Sequence, residues 1–236
     1  MTATEARWLA PCSIQAWEPW PLHAVVYGAG FVGLALAVSG APRSATWVPV
    51  VLASLWLWAG VLGGIAAVRD GFVPGLAYVA ALVQGLLFLV RVRRPALAFG
   101  LRNRPSSWTG LSFACYALIG HPTVICAFGH RWLHQPSIGL TLGPLVVYTV
   151  GVLLLVRPRA PSDLLALPLL IAVSGPFWIA ASQPEAIAMA LSGAAAVWLI
   201  WPRARGPGDG PRAGPPAASE EAPLERGWSL DLADEP

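Results

Sequence analysis

Apolar residues in this chain run in long, nearly unbroken blocks, without the alternation of a half-buried strand or the polar face of a soluble amphipathic helix. Seven such blocks are legible: roughly His23 to Ser39, Trp47 to Val68, Phe72 to Val90, Trp108 to Phe128, Ile138 to Val156, Leu164 to Ala181 and Ala186 to Trp201. Blocks of that length cross about 30 Å of hydrocarbon when helical. The pattern predicts an all-α, polytopic membrane helix bundle of about seven transmembrane helices over residues 23–201. Residues 1–22 place Trp8, Trp17 and Trp20 among prolines, with Glu5, Glu18 and Arg7 and no basic start followed by an apolar core. This reads as an interfacial lead-in and not as a cleaved signal peptide. Residues 202–236 are Pro, Gly, Ala and charge, a composition that cannot bury enough apolar surface to offset its chain entropy, and a disordered tail is expected there.

The loops orient the blocks. Arg43, then Arg91, Arg93, Arg94, Arg102 and Arg104, then Arg157 and Arg159, and finally Arg203 and Arg205 fall on one side of an alternating seven-span path. Arg7, Arg69 and Arg131 fall on the other. Cytoplasmic loops collect arginine, so the N-terminus is expected outside and the C-terminus inside a bacterial cytoplasmic (inner) membrane.

Composition agrees. Hydrophobic residues make up 56% of the 236 and charged ones 11%, against about 25% charged in a soluble domain. Mean hydropathy is +0.61. All 15 basic residues are arginine. Residues 1–201 carry 11 of them against 5 acids, whereas the tail carries 4 against 7, so nothing points to a nucleic-acid partner. Cys12, Cys115 and Cys126 are too few and scattered for a disulfide scaffold.

The stretch WTGLSFACYALIGHPTVICAFGHRWLH, Trp108 to His134, holds two of the three cysteines and three of the four histidines, and the chain reads as organised around it. His121 lies deep in that block beside Pro122, which cannot donate to the carbonyl of Leu118 and should kink the helix. Two readings stand: a proton or ligand contact in a translocation path, or a neutral histidine bonded to a neighbouring helix. Gln84 is the one strongly polar side chain of its block and should bond to an adjacent helix, with a place in the same path as the alternative.

Cys126, His130 and His134 are spaced four apart, one face of a continuous helix, and thiolate with imidazole suits zinc, copper or a softer metal. Gly129 and Pro136 put the continuity of that helix in question. Gly28, Gly30 and Gly33 match a dinucleotide fingerprint in spacing, but inside an apolar helix they mark close packing. Gly60 and Gly64 form a GxxxG pair, a packing face first and a contact for a homo-oligomer second. Trp56 and Trp58 should pack between helices, and Trp228, Leu230 and Leu232 in the tail could dock a cytoplasmic partner. No serine, cysteine or paired-carboxylate set suggests catalysis, so an enzyme is not expected.

At WLWAG, GLAYVAALVQGLLFL, WTGLSFACYALIGHPTVICAFGHRW and GLTLGPLVVYTVGVLLL, covering about residues 47 to 175, the chain resembles a family of bacterial multi-pass membrane proteins of unknown function. The likeness includes Trp56, Trp58, Gly60, Gln84, Gly85, Gly120, Pro122, Gly129, His130, Pro144 and Gly151. Relatives carry Thr-Pro-Cys-Pro-Thr where this chain has Thr141, Leu142, Gly143, Pro144 and Leu145. Any metal or redox task of that cysteine is therefore lost or altered here. The resemblance implies topology and no activity. The leading expectation is a permease-like protein with a path past His121, Pro122 and Gln84. A metal site at the outer face, and a membrane scaffold or sensor acting through its tail, are the alternatives.

Overall fold

The computed structural model describes residues 20–70, 72–93, 97–127, 138, 141–157, 160–173 and 186–200. The interfacial lead-in before Trp20, the tail beyond Trp201, and His130 and His134 lie outside them. The chain divides into two units, Met1–Trp201 and Pro202–Pro236. All described residues belong to the first.

The described residues are overwhelmingly helical. In chain order they form α1 (Trp20–Ser39), α2 (Ser44–Asp70), α3 (Phe72–Val92), β1 (Ala98–Phe99), α4 (Pro105–Cys115), a π-helical turn (Tyr116–Gly120), α5 (His121–Ala127), α6 (Leu142–Leu153), β2 (Val156–Arg157), α7 (Ser162–Val173) and α8 (Ala186–Ile200). Gly40 ends α1 with φ of +65°, the left-handed conformation that costs glycine least. Ser44, which opens α2, donates to Ala41 O across 2.6 Å and tightens the turn between the two helices. Pro105 sits in the first turn of α4, where the N–H it lacks would have no helical partner.

The centre is α6. Every residue from Pro144 to Leu153 is buried, and α2, α4, the π-turn, α7 and α8 all pack on it. The sequence pointed instead to the stretch from Trp108 onward. That expectation is corrected because chemistry-bearing residues do not define a core, whereas a helix apolar on all faces can be enclosed on all faces. The backbones of α4 and α6 approach closely. A Cβ on Gly110 would lie 2.8 Å from Leu154 Cβ, and one on Gly151 would lie 2.6 Å from Gly110 O and 2.7 Å from Ala114 N. Small residues let these backbones touch. The pairing of α2 with α3 works similarly, with Gly60 under Leu82, Gly85 under Leu57 and Gly63 under the Tyr78 ring. Thus Gly60 packs within the chain, while Gly64 faces open space.

One end of the bundle gathers the arginine-bearing loops. β1 and β2 pair antiparallel, with Ala98 opposite Arg157 and Phe99 opposite Val156, a ladder too short to be legible in sequence. Gly100 N–H donates to Leu155 O and Leu101 N–H to Val38 O. Arg157 donates to Gly100 O (3.3 Å) and Leu101 O (2.9 Å), and Arg91 forms an ion pair with Asp163. The C-terminal ends of α1, α3 and α6 therefore meet the starts of α2, α4 and α7, as an alternating up-and-down path requires.

Among the described residues two helical stretches, Pro21–Ser39 and Ser44–Ile65, are long and apolar enough to cross a membrane, and Leu76–Val92, Leu142–Leu153 and Ser162–Val173 are shorter apolar helices. The blocks expected over Ile138–Val156 and Leu164–Ala181 contain helices of 12 residues each, about 18 Å at 1.5 Å per residue. Away from the arginine-bearing end, the described helices expose many large apolar side chains. Val25 and Val32 of α1, Ile65 of α2, Leu86 of α3, Val124 of α5, Leu170 of α7 and Leu191 of α8 all point away from the core.

Candidate functional site around His121

The rod formed by α4, the π-turn and α5 carries the more deeply buried of the two described imidazoles. Pro122 removes a donor from the turn, and the helix answers by widening: His121 N–H reaches back five residues to Tyr116 O. The kink expected at Pro122 is thus realised as a π-turn, a single-turn distortion that recurs at functional sites. Thr123 Oγ1 adds a bond to Ile119 O at 2.6 Å.

His121 is 3% exposed. Its ring meets that of Tyr116 edge-on, with centroids 6.4 Å apart and planes at 82°. Neither Nδ1 nor Nε2 has a hydrogen-bond partner among the described residues. A neutral imidazole offers one N–H and one lone pair, and burying both unpaired costs free energy that any bound polar group would recover.

The walls beside this site are fixed by polar ties to α6. Tyr148 donates its hydroxyl to Gly30 O at 2.6 Å, using the carbonyl's second lone pair and holding α1 to α6. The pocket left by Gly30 is filled by Leu118 of the π-turn, which would sit 2.7 Å from a Cβ there. Gly30 and Gly33 therefore serve close packing, as expected of small residues in an apolar helix. Trp56 Nε1 donates to Thr149 Oγ1 at 2.9 Å and ties α2 to α6. Both members of that pair are fully buried. Trp58 is half-buried, and its Nε1 has no partner among the described residues.

Gln84 behaves differently from His121. Its Nε2 donates to Leu164 O on α7 at 2.9 Å. Leu164 is four residues before Pro168, which sits inside α7 and cannot donate to it. The side chain of α3 therefore supplies the donor that the proline withholds. The bond to a neighbouring helix expected of Gln84 is present, and its Oε1 has no partner among the described residues. Gln84 belongs to the contact of α3 with α7, whereas His121 belongs to the rod packed on α1 and α6. The sequence signal for a bond was the isolation of Gln84 in an apolar block, while its target, Leu164 O, emerges only from the placement of Pro168.

Cys115 and Cys126 are free and partly buried, and Cys126 lies within electrostatic reach of the Tyr27 hydroxyl on α1. No group of three metal-ligating side chains forms among the described residues. The partners expected for Cys126, His130 and His134, fall outside them. Tyr148, Thr149 and Tyr116 were not singled out from sequence. Each is a polar residue in an apolar run, and which helix it would face could not be read from the run alone.

Residues 16–208 match the model of a family of unknown function, DUF6064. No curated protein and no solved structure matches the chain.

Proposed function

The chain belongs to the DUF6064 family, and since that family carries no assigned activity, we propose from the physics of the chain that it is a permease-like membrane protein with a polar path past His121. In this reading seven helices span the bilayer, with the N-terminus outside and the C-terminus inside. Outward-facing apolar side chains on α1, α2, α3, α5, α7 and α8 support it, because a soluble monomer rarely exposes contiguous apolar patches beyond a few hundred Å². So does the collection of Arg43, Arg91, Arg93, Arg102, Arg104 and Arg157 in the loops at one end. Trp47 and Trp108 face outward in the first helical turns after those loops, where indoles form an interfacial belt.

The observation that carries the path is His121: an ionisable ring, buried at a proline-widened turn, with both nitrogens unpaired among the described residues. Irregular backbone at membrane depth is tolerated where it is enclosed by protein or lines a watery cavity. Such a ring can pass a proton or hold a small polar solute. The test is reconstitution of the full chain into vesicles loaded with a pH-sensitive dye, with parallel uptake of labelled amino acids, sugars and organic anions. The wild type should dissipate a proton gradient or accumulate a solute faster than empty vesicles, and His121→Ala should match empty vesicles. Equal rates for wild type and His121→Ala in every assay that shows transport would remove His121 from the path.

A further inference from the structure

The arginines at the loop-bearing end fall into two groups. Arg157 is occupied by the carbonyls of Gly100 and Leu101, and Arg91 by Asp163. Arg43, Arg93, Arg102 and Arg104 are exposed, and none has a side-chain partner among the described residues. Asp163 is the one described acid at this end, and it is already paired. Among the described residues, this end therefore presents four guanidinium groups with no acidic partner.

Their placement is regular. Arg43 and Arg104 each stand just before a helix, and the N–H of Trp47 and of Trp108, four residues on, donates to the carbonyl of its arginine. Trp47 is 54% and Trp108 52% exposed, so each arginine stands one helical turn beyond an outward-facing indole. The two loops meet at a cleft of about 230 Å³ lined by Pro42, Ser44, Leu97 and Phe99 among others. Indole rings set the depth of the carbonyl and glycerol layer, and the guanidinium groups one turn outward stand at phosphate depth. Planar guanidinium matches phosphate bidentately.

We propose that this end is a docking face for the headgroups of anionic phospholipids, held by Arg43, Arg93, Arg102 and Arg104 and levelled by Trp47 and Trp108. The proposal rests on the membrane reading above and is independent of the path at His121. Each arginine near an anionic surface adds about a five-fold gain in affinity at moderate salt.

Native mass spectrometry of the full chain, released from micelles holding equal dioleoyl phosphatidylglycerol and phosphatidylcholine, tests it. The wild type should retain phosphatidylglycerol at least ten-fold over phosphatidylcholine. The combined Arg43→Gln, Arg93→Gln, Arg102→Gln and Arg104→Gln variant should fall to within two-fold. A variant changing Arg7, Arg69 and Arg131, assigned to the opposite side, should keep the wild-type ratio. Equal retention of the two lipids by the wild type overturns the proposal, as does a preference that survives the four substitutions or is displaced by inorganic phosphate alone. Carbonate washing of membranes separates the two ideas. A chain that stays in the pellet yet shows no lipid preference sinks the docking face alone, and a chain released by carbonate sinks the membrane reading with it.

Discussion

In α7, Pro168 leaves Leu164 O without its helical donor, and Gln84 reaches over from α3 to supply one. At the junction of the π-turn and α5, Pro122 removes a donor in the same way, and the ring beside it, His121, makes no hydrogen bond among the described residues. Both side chains are polar, buried and set in apolar helices. The first has a fixed partner and acts as a structural tie. The second keeps its bonding capacity open, which is what a transient ligand needs. A buried polar group in an apolar helix therefore announces function only after its partners have been traced.

The frame that holds both breaks can be attacked first, at α6. Gly151→Val would drive side-chain carbons into Gly110 O and Ala114 N, backbone atoms that cannot move aside. Separating α4 from α6 should lower stability in detergent by about 3 kcal/mol, the upper end of ordinary overpacking. An unchanged melting temperature would mean that α4 and the site it carries are not braced by α6.

The settled break comes next. Gln84→Leu orphans Leu164 O and should lower stability by about 1.5 kcal/mol, between the usual strength of a bond inside a membrane and the cost of an unpaired buried group. Adding Pro168→Ala restores the helix's own N–H at that carbonyl, so the double variant should recover most of the loss. A double variant as unstable as Gln84→Leu would show that the amide is not compensating for the proline. Trp56→Phe, which removes one of the ties to α6, should have a milder effect of about 0.6 kcal/mol. Thr149 can then turn its hydroxyl to a carbonyl of its own helix.

These variants also mark what the sequence could convey. The starts of α3 and α8 at Phe72 and Ala186 were legible from the apolar blocks and their flanks. The bond made by Gln84 was legible as a need, because an amide in hydrocarbon must find a partner, but its target was hidden until Pro168 was placed across from it. The central position of α6 was hidden for a different reason. A helix enclosed by protein and one facing acyl chains are both apolar all round, so periodicity cannot separate them. The contact of Gly110 with Gly151 was invisible because the two glycines lie far apart in the chain and only the fold brings them together. The kink at Pro122 followed from the missing N–H, while its form, a π-turn donating to Tyr116 O, depended on packing.

The open break should give the smallest change in stability and the clearest functional one. His121→Leu replaces an imidazole whose nitrogens have no described partner with an apolar side chain of similar reach. Removing an unpaired buried polar group relieves its desolvation cost, so the shift should lie within about 0.5 kcal/mol of zero or toward greater stability, as for sites outside any polar network. Transport in vesicles should nevertheless fall to the level of empty vesicles, whereas Gln84→Leu with Pro168→Ala should retain most of it. The opposite pattern, a His121→Leu protein that is badly destabilised yet still transports when kept cold, would make His121 a structural tie like Gln84 and remove the distinction between the two proline breaks.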